Sequence, residues 1–254
     1  MKVRDVVMLF LILAVLAAGA ALVFLQTVAD FAPEMGAAPA QRLKDASVSG
    51  VQESDATWGP GVIDVTGDVY INPGVVITIN PGTTVQIAPS DGANLGVDPN
   101  RIEYMVGGTL RVDGPVTFTS QAADPACGDW YGIHFLADSD GSLKEALVEW
   151  AVHAVRINTT SPIDIVDSTL RFNCHKPENA DAWGAGLSIF AGTHHVLRTQ
   201  IFGNTVEATG WSNNAIGAGV WLASGSTVFE KCQVYDNIAQ STGYDAFGGG
   251  MALW

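Results

Sequence analysis

A repeated segment near the end of the chain is the feature that most constrains its fold. The 21 residues GAGLSIFAGTHHVLRTQIFGN (184–204) align without gaps with GAGVWLASGSTVFEKCQVYDN (217–237), at an offset of 33 residues and with six identical positions. A third copy begins at Gly248, and a weaker copy, Ile163 to Asn173, lies 31 residues upstream of the first. A unit of this size cannot bury its own apolar face, so the repeats are expected to stack on one another.

Apolar and polar residues alternate with a period of two through most of the chain. The segment VTGDVYINPGVVITINPGTTVQI (65–87) shows this most clearly, with two Asn-Pro-Gly turns between short apolar runs. A period of two indicates strands. Pro followed by Gly fits a type II turn, and such a corner bends a strand without reversing it. The 28 glycines and a charged fraction of 15% also favour short strands over long helices, so we predict an all-β chain.

Equivalent positions of the repeats should form ladders, in which like side chains of successive coils stack about 4.8 Å apart. Asn173, Asn204 and Asn237 are one such predicted structural ladder, because Asn tolerates a left-handed corner and its amide can bond to the coils above and below. The same alignment predicts a ladder of small side chains and a ladder of core side chains: Ser168, Thr199 and Cys232, and Leu170, Ile201 and Val234.

These motifs resemble those of a known fold. GAGVWL…CQVYDN is similar to the GGG-I-x-L…C-x-I-x-x-N coils of bacterial surface proteins in the pectate-lyase-like superfamily, and TGDVYINPGVVITINPGTTVQI with GGTLRVDG and PVTFTS resembles their first coils. The resemblance covers about residues 58–254 and implies a right-handed parallel β-helix, a solenoid, over that range. The same coil serves polysaccharide lyases, glycoside hydrolases, adhesins and phage tail proteins, so it selects no single activity.

The N-terminal part of the chain has the pattern of an export signal. Lys2 and Arg4 precede an almost unbroken apolar run, and Ala29 ends a small-residue stretch suited to cleavage. Residues 1–29 are therefore a predicted signal peptide, or an uncleaved signal anchor, since an apolar helix of this length can also span a bilayer. Residues 30–57, rich in Ala and Pro, are predicted to be a flexible linker. We expect the rest to be exported to the periplasm, the cell surface or the medium.

The charge and the last repeat set two further expectations. A net charge of −14 disfavours nucleic acid and anionic membranes as partners, so membrane contact is expected only through an uncleaved N-terminal segment. A polysaccharide or a cell-surface glycan remains a candidate partner. The third copy of the repeat stops at Trp254, one strand into a new coil, and a β-helix usually protects its last coil with a cap. This pattern predicts a β-helix that is truncated at its C-terminal end.

The three cysteines, Cys127, Cys174 and Cys232, are too few and too far apart for a disulfide framework or a zinc site. Two alternatives remain open from the sequence. Cys127 and Cys174 form one bridge, or all three thiols are free and pack as small hydrophobic side chains.

No catalytic residue is predicted. A lyase of this fold would use a basic residue to abstract a proton, but Arg171, Arg198 and Lys231 sit singly among apolar neighbours, as outward solubilising charges do. A hydrolase would need carboxylates that converge from adjacent coils. The carboxylates considered for that role, which a solvated face explains more simply, are Glu149, Asp164 and Asp167.

No cofactor and no metal site are predicted, with calcium as an open alternative. Asp138-Ser139-Asp140-Gly141 resembles a calcium loop but lacks a third ligand, so a turn explains it more simply. The histidines show no metal-ligand spacing, and the adjacent pair His194 and His195 should point to opposite faces of a strand.

The stretches of variable length between each repeated Asn and the next Gly are expected to form loops that stack on one edge: residues 174–183, 205–216 and 238–247. Trp211 and Tyr244 are predicted there to stack on sugar rings. Four carboxylates are predicted to hold hydroxyls or a cation: Glu178, Asp181, Glu207 and Asp245. Trp183 and Phe247, directly before the Gly triplets, are expected to cap the core instead.

The expected function is an exported or cell-surface β-helix with a non-catalytic scaffold, adhesion or glycan-contacting role. The alternative is a carbohydrate-active enzyme, a polysaccharide lyase or a glycoside hydrolase, whose site is incomplete in this chain.

Overall fold

The computed structural model describes residues 41–43 and 45–253, with side chains from residue 45 onward. These residues contain 26 strands and no helix, so the chain is all-β over the described range. The predicted export signal (1–29) and the first part of the predicted linker (30–40) lie outside the described residues. Within them, no helix is long and apolar enough to cross a membrane.

The strands follow one another as successive coils of the chain. The strands of the first coils are β1 (Gln41–Leu43), β2 (Ala46–Gln52), β3 (Ala56–Trp58), β4 (Gly61–Ile71), β5 (Val76–Ile79), β6 (Thr83–Ile87), β7 (Glu103–Val106), β8 (Thr109–Ser120), β9 (Trp130–Phe135), β10 (Asp140–Glu149) and β11 (Ala151–Ile157). The next coil contains β12 (Ile163–Val166), β13 (Thr169–Arg171), β14 (Cys174–His175), β15 (Ala182–Trp183) and β16 (Leu187–Ile189).

The last two described coils repeat this order. They contain β17 (Thr193–Leu197), β18 (Gln200–Phe202), β19 (Thr205–Ala208), β20 (Ala215–Ile216) and β21 (Val220–Leu222), and then β22 (Ser226–Glu230), β23 (Gln233–Tyr235), β24 (Ile238–Ser241), β25 (Ala246–Phe247) and β26 (Met251–Leu253).

Every strand pairing in the described chain is parallel, between one coil and the next. Twenty strands form one continuous network, and it contains three stacks along the coils. The first stack includes β5, β8, β10, β12, β17 and β22, the second includes β6, β8, β10, β13, β18 and β23, and the third includes β7, β9, β11, β16, β21 and β26. Two smaller sheets, β14-β19-β24 and β15-β20-β25, lie within the variable stretches, at the two ends of each segment that was expected to be a loop. This arrangement is compatible with a β-helix or solenoid.

The core lies inside the three stacks, where alternate side chains of each strand meet their equivalents on the next coil. The second stack carries the predicted core ladder, in which Leu170 pairs with Ile201 and Ile201 with Val234. Leu187 and Val220 pair in the same way on the third stack and are fully buried. Burying a side chain of this kind contributes roughly 1.5–3 kcal/mol. Each coil can bury these side chains only against the neighbouring coils, so the core forms only when the coils stack.

Asn173, Asn204 and Asn237 stack at one corner and hydrogen bond from coil to coil. The Nδ2 atom of Asn173 donates to Oδ1 of Asn204 over 2.9 Å, and Nδ2 of Asn204 donates to Oδ1 of Asn237 over 2.9 Å. The backbone N–H groups of Asn173 and Asn204 donate to the same two Oδ1 atoms. Each Oδ1 therefore accepts two bonds from the preceding coil.

The small-residue ladder has a matching role at the other side of the second stack. The side chains of Ser168, Thr199 and Cys232 each donate to a backbone carbonyl of the preceding coil, at 3.2, 3.3 and 3.2 Å. The glycines of the Gly-Ala-Gly segments that open the repeats have a steric origin. A Cβ atom on Gly186 or on Gly219 would overlap a backbone carbonyl of the next coil, beside the asparagine ladder.

The folded region begins earlier than the predicted boundary at residue 58. Strands β1 to β3 lie in the stretch that was predicted to be a flexible linker, and β2 pairs with β4 in register. The prediction was wrong there because the segment ASVSGVQ (46–52) alternates with a period of two but uses mostly small side chains, which do not stand out as an apolar strand pattern. Val48 is its only strongly apolar inward residue, at 6% exposure.

Replacing Asn204 should destabilise the chain more than replacing Asn237. Asn204→Ala removes the Oδ1 atom that accepts from the backbone N–H and from Nδ2 of Asn173, and it removes the Nδ2 group that donates to the carbonyl of Leu170. Each such loss in a buried corner costs about 1–3 kcal/mol. Asn237 is partly exposed, so water can replace part of its bonding in Asn237→Ala. Denaturant unfolding of the two variants measures the difference, and equal losses would contradict a buried ladder.

Candidate functional site

The two aromatic residues of the predicted loop site lie on adjacent coils. Trp211 is 95% exposed and Tyr244 is 64% exposed, at equivalent positions of the two variable stretches. The backbone N–H of Thr242 donates to the carbonyl of Ala208, which holds one loop against the other. Because both side chains are largely exposed, their rings face solvent. Their role in binding stays a prediction.

The carboxylates of the same predicted site differ in their surroundings. Asp181 accepts the backbone N–H of Asn214 over 2.6 Å, and Glu207 forms an ion pair with Lys176 at 3.1 Å. Glu178 and Asp245 are exposed. Two of these four carboxylates thus serve contacts between neighbouring coils.

The acids considered for hydrolysis are also engaged with the next coil. Glu149 accepts the Arg171 guanidinium at 2.8 Å, Asp164 contacts His195 and Asp167 binds Arg198. Within the described residues, no group of three or more His, Cys, Asp or Glu side chains is arranged to hold a metal ion. His194 is buried, whereas its neighbour His195 is exposed, as their alternation on a strand requires.

A pocket of about 550 Å³ lies beside the third stack, away from Trp211 and Tyr244. Four successive coils contribute to its wall, through residues 97–101, then Cys127, Gly128 and Tyr131, then Val152, and then residues 174–177. At a spacing of about 4.8 Å between coils, the pocket extends roughly 14 Å along the stack. Its volume is within the usual range for small-molecule sites. An elongated ligand that lies along the coils fits this shape.

A disulfide bond forms part of the pocket wall. Cys127 and Cys174 are bonded, with their Cα atoms 5.3 Å apart, so the structure decides between the two alternatives that the sequence left open. Cys232 is the free cysteine of the described chain and belongs to the small-residue ladder. The bridge joins the segment before β9 to β14, two coils further along.

Two buried carboxylates hold the loop that carries Arg101 into the pocket. The backbone N–H groups of residues 95 and 96 donate to Asp68 over 2.6 Å each, and those of residues 97 and 98 donate to Glu103 over 2.9 and 2.8 Å. Burial raises the pKa of both carboxyls, and these hydrogen bonds act in the opposite direction. Asp68 and Glu103 therefore position the pocket wall.

The pocket continues into a group of aromatic side chains around one arginine. We call Tyr131, Arg156, Trp183, Phe190 and Trp221 the aromatic–cationic surface. The guanidinium carbon of Arg156 lies 5.1 Å from the Trp183 ring centre and 4.7 Å from that of Phe190. Trp221 contacts the same two rings, with ring centres 4.8 and 5.1 Å away. All five side chains are partly exposed, so a ligand can reach them.

Three histidines surround this arginine and are neutral at pH 7. Burial is the main cause that lowers the pKa of His134 and His175 to about 4, and the positive charge of Arg156 adds to it. His153 stacks on Trp183, with ring centres 4.5 Å apart, and burial lowers its pKa well below the ordinary value. The charge in this part of the surface is therefore that of Arg156.

Hydrogen bonds to backbone groups hold two of these histidines. Nδ1 of His175 lies 3.0 Å from the backbone nitrogen of Trp183 and 3.1 Å from its carbonyl oxygen. Nδ1 of His153 donates to the carbonyl of Gly184 over 2.9 Å. Its Nε2 is then an acceptor, and it is buried without a hydrogen-bond partner.

The aromatic–cationic surface was not predicted from the sequence. Trp183, expected to cap the core, is instead partly exposed and packs against Arg156 and His153. Ile216, its partner on the next coil, is buried at the equivalent position. Phe247, at the equivalent place, is 42% exposed. The variable stretch 174–183 does contribute His175, Lys176 and Trp183, though none of these was among the predicted binding residues.

Comparison of the chain with models of protein families, with curated proteins and with solved structures found no match in any of the three.

Removing the disulfide should weaken folding by about 4 kcal/mol, the chain-entropy value for a bridge between residues 47 positions apart. The double variant Cys127→Ser, Cys174→Ser tests this by denaturant unfolding. Cys232→Ser is the matched control, because a hydroxyl retains the bond to the carbonyl of Val196. A double variant as stable as the wild type would show that the bridge is not part of the folded state.

The free energy of unfolding should fall as the pH falls from about 6.5 to about 4. In this window, His134 and His175 of the unfolded chain, with an ordinary pKa of 6.5, are protonated, whereas in the folded chain the same two side chains are still neutral. Each contributes up to about 1.4 kcal/mol per pH unit, and above pH 6.5 the effect disappears.

The variant His134→Gln should lose part of this slope, and the exposed His195→Gln should retain it. Denaturant unfolding at a series of pH values measures both. A slope that is identical in His134→Gln and the wild type would contradict the assignment.

Proposed function

We propose that this chain is an exported, right-handed parallel β-helix that binds a glycan along its third stack without catalysing a reaction on it. The parallel pairing of coils supports the fold, and parallel crossovers are right-handed in nearly all proteins. The motif resemblance to pectate-lyase-like surface proteins points the same way. Export is supported by the bond between Cys127 and Cys174, because disulfides persist mainly in oxidising compartments.

The observation that carries the glycan proposal is the continuity of the pocket with the aromatic–cationic surface. Tyr131 and His175 line the pocket and also contact the ring of His153, which stacks on Trp183. Aromatic faces combine apolar area with oriented polar neighbours, which suits the alternating apolar and hydroxyl faces of a sugar. Trp183 and Trp221 extend this platform along the direction in which the coils stack.

Binding without catalysis is favoured by the state of the acids in the pocket. Asp98 is the carboxylate that lines it, and it forms an ion pair with Arg101 at 2.8 Å. Glycoside hydrolysis requires one carboxyl that donates a proton and a second that acts as base or nucleophile. The described pocket residues do not include such a pair of free carboxyls.

Truncating Trp183 or Trp221 should weaken glycan binding by roughly 10-fold, the loss expected when one aromatic contact of about 1–1.5 kcal/mol is removed. Retardation of the protein in gels that contain neutral or acidic polysaccharides measures the binding. Trp211→Ala is the matched control, since this tryptophan is exposed on the variable loops.

The reverse pattern would instead favour the loop site of Trp211 and Tyr244. In that case Trp211→Ala would abolish retardation, and Trp183→Ala and Trp221→Ala would leave it unchanged. A protein that no polysaccharide of the panel retards would contradict the glycan proposal.

A further inference from the structure

The chain is acidic overall, but its basic side chains concentrate at one place. Residues 45–253 contain eight Lys and Arg residues, against a net charge of −14 for the whole chain. Three of them, Arg101, Arg156 and Lys176, line the pocket or belong to the aromatic–cationic surface beside it.

Arg156 differs from the other basic residues in its lack of an acidic partner. Six of the eight form ion pairs with Asp or Glu: Arg101, Lys144, Arg171, Lys176, Arg198 and Lys231. Of the other two, Arg111 is exposed to solvent, whereas Arg156 is half-buried between aromatic rings. The Nε atom of Arg156 is buried and has no hydrogen-bond partner among the described residues. A charge in this position costs free energy that a bound anion can offset.

The groups that face Arg156 do not supply that anion. His134 lies opposite it on β9, and His153 and His175 approach the same rings from β11 and β14. These imidazoles are neutral or positive at any pH. The hydroxyl of Tyr131 hydrogen bonds to Arg156, and burial raises its pKa, so it is neutral as well. The acids whose charges act on Tyr131 are engaged elsewhere, because Glu103 accepts backbone N–H groups and Asp98 pairs with Arg101.

We propose that Arg156 is the centre of an anion-binding site, and that it receives a carboxylate or sulfate substituent of the bound glycan. The inference rests on the proposed glycan-binding function and names the ligand class. A guanidinium donates two parallel N–H groups to two oxygens of such an anion, and Trp183 and Phe190 hold its plane in place. Arg101 and Lys176 are already paired with Asp98 and Glu207, so the positive charge available to an anion is that of Arg156.

The test uses the full chain and monosaccharides that differ in one substituent. The imidazole NMR signals of His134 and His175 are followed during titration with glucose, glucuronate and glucose 6-sulfate. Glucuronate, glucose 6-sulfate or both should shift these signals at concentrations at which glucose has no effect, and the comparison between the two shows which anion is preferred. This comparison is made on the wild type, so it does not depend on a variant that folds.

Arg156→Gln should weaken the response by at least 10-fold, whereas Arg111→Gln, the same change of charge at an exposed site, should leave it unchanged. Equal shifts with glucose, no response to either anionic sugar, or an unaltered response in folded Arg156→Gln would each overturn the anion site. Acetate and inorganic sulfate separate this inference from the proposed function. If they bind as tightly as the charged sugars and need Arg156, the anion site stands and the glycan proposal fails.

Discussion

Backbone pairing between successive coils is the interaction on which the rest of this structure depends. Each coil presents one row of inward side chains per stack, and these side chains meet others only on the coil before and the coil after. The pairing of Leu170 with Ile201 and of Ile201 with Val234 is therefore both a register and a core contact. A slip of one residue would turn every such side chain to the solvent face. The asparagine corner resists that slip, because Asn204 bonds to both neighbouring coils only in the observed register.

The same register builds the surface beside the pocket. His134 on β9 and Arg156 on β11 are paired residues, and Ser188 and Trp221 continue that row on the next two coils. Side chains in an outward row need not match the size of their neighbours as core side chains must. On the third stack, the outward side chains are therefore varied, and the guanidinium of Arg156, which has no acidic partner, lies among tryptophan, phenylalanine and neutral histidine side chains. The disulfide and the buried acids Asp68 and Glu103 then fix the two loops that close the pocket.

Much of the core was predictable, because the repeats align without gaps and similar residues recur at 31 or 33 positions. The asparagine, small-residue and core ladders all follow from that alignment. The aromatic–cationic surface could not be predicted in this way, because two of its members, Tyr131 and Arg156, belong to earlier coils of irregular length for which the sequence offers no repeat. Their neighbours across the stack become visible only when the pairing of β9 with β11 is known. The first strands were missed for a related reason, since β2 has small side chains in place of the usual Val and Ile.

The most direct test of coil stacking is hydrogen exchange of side-chain amides, followed by NMR. The Nδ2 protons of Asn173 and Asn204 donate to the next coil and are buried, whereas Asn179 is exposed on the variable stretch. We expect the first two amides to exchange at least about 1,000-fold more slowly than that of Asn179, because their exchange requires the coils to separate. Exchange of all three at similar rates would show that the coils are not stacked through the asparagine corner.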